Sequence, residues 1–227
     1  MPKKMKLIAL TIALIILVLP LAVFGVSNLL SAKSQISPRR YPIRVACVGD
    51  SITAASEYPS DLQIMLGDNY TVGNFGVVGS TVSLNSWKPY MNQTEFQNAE
   101  DFEPDIVVIM LGTNDDLKGL HQYNDNFEDD YNTLVTSFQQ LDSKPNICIA
   151  NSPPIFSNNT DLSPSYLANT IIPKTDDLAY KMNLQIIDVY NAFSNHADYL
   201  KDGVHPNSQG AVLIATQVYD AINSQNS

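Results

Sequence analysis

A chain of 227 residues is long enough for one domain with a full-sized core. Its 13 basic residues stand against 23 acidic ones, a formal charge of −10. That balance argues against nucleic acid or an anionic lipid surface as a partner and suits a neutral substrate.

The chain opens on Lys3, Lys4 and Lys6, followed by an apolar run over residues 7–26 broken only by Thr11, Pro20 and Gly25. A positive flank before such a run reads as a membrane anchor or a secretory signal. The length favours a retained anchor, while Gly25-Val26-Ser27 and Ser31-Ala32 offer small residues for cleavage. Either reading places the rest outside the cytoplasm and limits membrane contact to this segment. Residues 27–41 carry Ser, Lys, Gln, Pro38, Arg39 and Arg40 and read as a polar linker. Residues 42–227 are then the working domain.

Within that domain short apolar runs predict strands over 43–48, 70–75, 105–111, 146–150 and 184–189. Helical spacing predicts helices over 58–66, 127–141 and 208–222, and over part of 164–182 with a break near Pro173. Strands that alternate with helices and are apolar throughout imply a parallel sheet covered on both faces. The fold class is therefore α/β, a doubly wound three-layer α/β/α sandwich with a five-stranded parallel sheet. Such sheets bind ligands outside the carboxyl ends of their strands.

Four blocks fall at those ends: Gly49-Asp50-Ser51-Ile52, Asn74-Phe75-Gly76-Val77-Val78-Gly79, Gly112-Thr113-Asn114-Asp115 and Asp202-Gly203-Val204-His205. Acyl transfer through a serine needs a nucleophile, a base, an orienting acid and donors for the oxyanion. Ser51 follows a strand at a tight turn and supplies the hydroxyl; taken alone it would equally well cap the next helix. His205 is the base, with Asp202 three residues earlier to fix its tautomer. The oxyanion donors are the backbone N–H groups of Ser51 and Gly79 and the side-chain amide of Asn114. His121 and His196 have no such setting.

Metal and cofactor are not expected. No Cys-x-x-Cys or His-x-x-x-His spacing is present, and the acidic stretch 124–130 lacks the glycine and final glutamate of a calcium loop. Cys47 and Cys148 lie in strand-like runs and are expected as buried thiols, too far apart for a disulfide if another strand lies between them.

The four blocks resemble those of the GDSL-like esterases and lipases, also called SGNH hydrolases. Ser51, Gly79, Asn114 and His205 occupy the matching positions, Asp202 matches the Asp-x-x-His partner, and Ile52 replaces the leucine of the family name. The resemblance covers about residues 43–222. It implies a flavodoxin-like sandwich and metal-independent ester hydrolysis. Motif details look like the carbohydrate O-acetylesterase branch, which makes a short acyl ester of a small molecule or glycan the expected substrate. A lysophospholipase or thioesterase shares the blocks, and a non-catalytic surface binding protein on the same fold is the alternative of another class. Trp87, Tyr90, Met91, Phe96, His121, Tyr123, Ile155 and Phe156 lie in the loops, where they either line a pocket or pack the loops down.

Overall fold

The computed structural model describes residues 42–157 and 161–224. The expected anchor and linker lie outside the described residues. Among the described residues no helix is long and apolar enough to cross a membrane.

Five strands form one sheet: β1 (Ile43–Gly49), β2 (Tyr70–Gly76), β3 (Ile106–Met110), β4 (Asn146–Ala150) and β5 (Gln185–Ile187). Every neighbouring pair is parallel, in the order β2-β1-β3-β4-β5. The helices are α1 (Ser51–Ala55), α2 (Tyr58–Leu66), α3 (Thr94–Asp101), α4 (Phe127–Gln139), α5 (Ile172–Met182), α6 (Val189–Ala192) and α7 (Ser208–Ser224). A helical turn at Pro164–Tyr166 and a π-turn at Leu167–Ile171 lead into α5. The break expected near Pro173 is that π-turn.

Strand residues alternate between two hydrophobic cores, which is why the strands read as unbroken apolar runs. Ala46, Val48, Val107, Ile109, Ile147 and Ile149 face a core filled by Tyr131, Leu134 and Phe138 of α4 and Leu178 of α5. Val45, Cys47, Ile106, Val108, Cys148 and Ala150 face the other, filled by Tyr58 and Leu62 of α2 and Ile214, Val218 and Ile222 of α7. These are the three layers that the alternating pattern predicts. Val212 lies on the exposed side of α7.

The two thiols follow from the same register. Cys47 pairs with Val108, and Val108 pairs with Cys148, so one strand separates them. Both are buried thiols. Burial pushes the Cys47 thiol up to about 12, against a weaker opposing hydrogen bond from Tyr58. Cys47 is therefore a packing residue and not a nucleophile.

β1 lies between β2 and β3, so the chain leaves it first to one side and then to the other. The loops after β1 and β3 part at this point, and a crevice opens at the carboxyl edge. The Ser51 and Asn114 blocks flank it.

Candidate active site

Ser51 is the first residue of α1. The cap of that helix is Asp50, whose side chain accepts the Ile52 N–H at 2.8 Å. The post that Ser51 might have filled as a cap is thus held by its neighbour. The first N–H groups of a helix have no partner within the helix, and that of Ser51 is among them. Asp50 is wholly buried, and burial raises its carboxyl to about 6 against the opposing bond from Ile52.

The Ser51 Oγ lies 3.0 Å from Nε2 of His205. On the other side of the ring, Nδ1 lies 2.7 Å from Oδ2 of Asp202. The remaining oxygen of Asp202 accepts the N–H groups of Val204 at 3.0 Å and His205 at 2.7 Å. Partial burial raises the Asp202 carboxyl, but the bonds from the His205 N–H, the His205 ring and the Val204 N–H outweigh it and hold the group down at about 2. It is a carboxylate throughout the neutral range.

The loop that carries this pair is built to close tightly. Lys201 donates its N–H to the His205 carbonyl at 2.9 Å, and Leu200 bridges Pro206. Gly203 has φ +83°, and a Cβ there would sit 2.8 Å from both N and Cβ of Ser157. Only glycine fits that spot, because a side chain would meet both backbone strain and a clash.

The second and third blocks meet through Ser80. Val77 to Ser80 is a turn closed by the Ser80 N–H on the Val77 carbonyl at 3.1 Å, with Gly79 at φ +77°. The turn is anchored next to the Ser51 block, since the Val77 N–H donates to the Gly49 carbonyl at 2.9 Å. The Asn114 side-chain N–H₂ donates one hydrogen to the Ser80 carbonyl at 2.9 Å. That bond fixes the amide plane and leaves a second donor.

Ser51, Asn114, Asp202 and His205 line one cleft of about 470 Å³, together with Thr113, Ser157, Leu162 and Val204. Four of the five expected residues are thereby on one wall. Gly79 is not among the lining residues; its neighbour Ser80 is tied to the lining residue Asn114. Sequence reasoning missed the other four lining residues. Thr113 sits inside a motif block and Val204 inside another, but Ser157 and Leu162 carry no signal of their own.

The loop aromatics separate into two groups. Tyr90 and Ile155 are buried, and Met91 and Phe96 pack against the core. His121 stacks on Tyr166 with ring centres 3.6 Å apart and bonds the Asp116 carbonyl at 2.7 Å. Trp87, Tyr123 and Phe156 remain exposed. The acidic stretch 124–130 enters helix α4, where acids favour the macrodipole. Among the described residues no group of three or more Asp, Glu, His or Cys could hold a metal ion.

The fold recurs in solved structures. A carbohydrate acetylesterase family member from Sinorhizobium meliloti matches with TM-score 0.63 and 20% identity, over 80% of this chain and 98% of that one. An inhibitor-bound aryl esterase of M. smegmatis matches with TM-score 0.64 and 18% identity, over 80% of this chain and 99% of that one. At such identities the likeness concerns the fold. In sequence, an acetylxylan esterase of Xylanibacter ruminicola is 33% identical over an alignment of 216 residues that covers 84% of this chain and 45% of that esterase. The chain thus spans less than half the length of that relative. The model of the GDSL-like Lipase/Acylhydrolase family matches residues 47–213, from the strand before Ser51 to the helix after His205. The chain belongs to the GDSL-like lipase/acylhydrolase family, the SGNH hydrolases.

Proposed function

We propose that the chain is a serine esterase that removes short acyl groups, acetyl above all, from a neutral carbohydrate. The observation that carries the reading is the continuous path from Asp202 Oδ2 to His205 Nδ1 at 2.7 Å and from His205 Nε2 to Ser51 Oγ at 3.0 Å, opening into one cleft.

In this reading Ser51 attacks the ester carbonyl while His205 Nε2 takes its proton. Asp202 holds the ring by Nδ1 and stabilises the imidazolium. The negative oxygen of the tetrahedral intermediate accepts from the backbone N–H groups of Ser51 and Gly79 and from the second amide hydrogen of Asn114. His205 then gives its proton to the leaving alcohol, giving an acyl-Ser51 ester. Water enters with His205 again as base and releases the acid and free Ser51.

Two observations support a short acyl group. The cleft presents few apolar side chains, chiefly Leu162 and Val204. The surrounding loops are rich in Asn, Ser, Asp and Thr. A groove for a long chain would reward each buried CH₂ by about 0.8 kcal/mol, roughly fourfold in kcat/KM if realised in the transition state. The sugar side is supported by the relationship to the acetylxylan esterase. Aryl esters of rising acyl length test the first point: rates that fall beyond C4 support it, and rates that climb steadily to C8 reject it. Release of acetate from acetylated sugars tests the second.

A further inference from the structure

Trp87 is the only tryptophan of the chain, and it is 66% exposed. An indole left in water forgoes a large apolar burial, while neighbours on the same loop are packed away. Val82, Ser83, Pro89 and Tyr90 are all buried.

The loop that presents this ring is tied on every side. Thr81 donates its N–H to the Lys88 carbonyl at 3.1 Å, and Tyr90 donates to the Thr81 carbonyl at 2.9 Å. The Thr81 and Ser86 hydroxyls bond each other. Leu84 donates its N–H to the Asp130 carboxylate at 2.8 Å. The Val82 and Ser83 N–H groups both end on Asp115. Trp87 is thus held on a rigid support, which removes most of the ordering cost of a contact.

The support also fixes where this stretch of backbone stands. Lys88, next in sequence, reaches back with its ammonium to the Val78 carbonyl at 2.8 Å, and Val78 precedes Gly79. Trp87 therefore lies within one lysine side chain of the turn bearing the proposed oxyanion donor. Asp115, which holds the base of the loop, follows Asn114 directly.

We propose that Trp87 is a sugar-stacking platform for the backbone of a neutral polysaccharide whose acyl group enters the Ser51 cleft. The flat apolar face of a pyranose or its xylose equivalent matches an exposed indole in size and polarity. The acidic balance of the chain disfavours anionic glycans. Val78, next to Gly79, is a second exposed apolar side chain at 60%. The proposal rests on the esterase reading for the position of the ester, and on the exposed indole and its tied backbone for the binding itself.

The single tryptophan makes the test direct, because all indole fluorescence reports on this position. Full-length protein titrated with unacetylated xylo-oligosaccharides should show a saturable change in emission, whether or not the enzyme cleaves any ester. Trp87→Ala should lower the ratio of kcat/KM on acetylated xylan to kcat/KM on 4-nitrophenyl acetate by roughly tenfold, the size of one aromatic stacking contact. Trp87→Phe should restore most of that ratio. No emission change at saturating sugar, or an unchanged ratio in Trp87→Ala, would overturn the platform. A wild-type protein inactive on every ester would instead strike the esterase reading, with the emission change still deciding on Trp87.

Discussion

The Asp115 carboxylate accepts the backbone N–H of Val82 at 2.9 Å, although the two residues lie 33 positions apart. Its other oxygen takes the N–H of Ser83, also at 2.9 Å. Burial pushes this carboxyl up, and the bonds from Val82 and Ser83 oppose that rise. The pair joins the loop after Gly79 to the loop bearing Asn114, so one buried group sets the spacing of the two proposed oxyanion donors. Asp115→Ala should strand both buried donors at about 1–3 kcal/mol each and lower the melting temperature. Asp115→Asn keeps one acceptor and should fold better, with kcat reduced because the donors shift. A folded Asp115→Asn protein with wild-type kcat would show that the joint is structural alone.

Asn114 holds its amide against the Ser80 carbonyl, which uses one of its two hydrogens, and the other is the proposed oxyanion donor. Asn114→Ala should fold normally and lose about 10²–10³-fold in kcat, the usual effect of one missing oxyanion donor. Steady-state kinetics on a short aryl ester checks this. Full activity in the folded variant would remove Asn114 from the mechanism.

Asp50 and Asp202 act on stability in opposite directions. Asp50 rises from 3.8 to about 6, so the folded chain binds its proton more tightly than the unfolded one. Its effect is that stability increases as pH falls from about 6 to about 4. Asp202 drops from 3.8 to about 2, so its contribution is full above about pH 4 and is lost as pH falls toward 2. Asp50→Asn should therefore flatten the change in melting temperature between pH 6 and 4. A melting temperature that changes between pH 6 and 4 in Asp50→Asn as it does in the wild type would show that Asp50 is not the group responsible.

Much of this arrangement is legible in the sequence, and the reasons for the gaps are specific. The parallel sheet could be read because its strands are buried on both faces and hold unbroken apolar runs. Strand ends were less sharp. Leu184 reads as strand, yet its N–H returns to the Ala179 carbonyl as part of the cap of α5, and β5 begins at Gln185. Asp105 also reads as strand, but its N–H and its carboxylate both bind the backbone of Arg44 just outside β3. Helix α3 lies in a stretch that reads as loop, since Thr94–Asp101 is polar apart from Phe96 and Ala99 and the side chain of its cap, Gln93, does not cap it. The reacting groups were visible because each sits in a short block with its turn residues. Leu162 and Ser157 were not, because cleft walls are set by how loops fold back and leave no periodic trace.

Residues 1–26 are proposed to carry the domain across the membrane, with the lysines before the apolar run holding the amino terminus inside. Protease added to intact cells should then reach the catalytic domain, and an alkaline wash should leave it in the membrane. Release into the medium with a new terminus near Ser27 or Lys33 would show a cleaved signal. Protection of the domain in intact cells, with full digestion after lysis, would contradict export altogether.

Ser51 is the proposed nucleophile, activated through His205 and Asp202. A fluorophosphonate probe forms a stable bond with a serine so activated, and mass spectrometry of the digested protein locates it. One labelled peptide, containing Ser51, is expected in the wild type and no label in Ser51→Ala. Labelling of another residue, or undiminished labelling of Ser51→Ala, would contradict it.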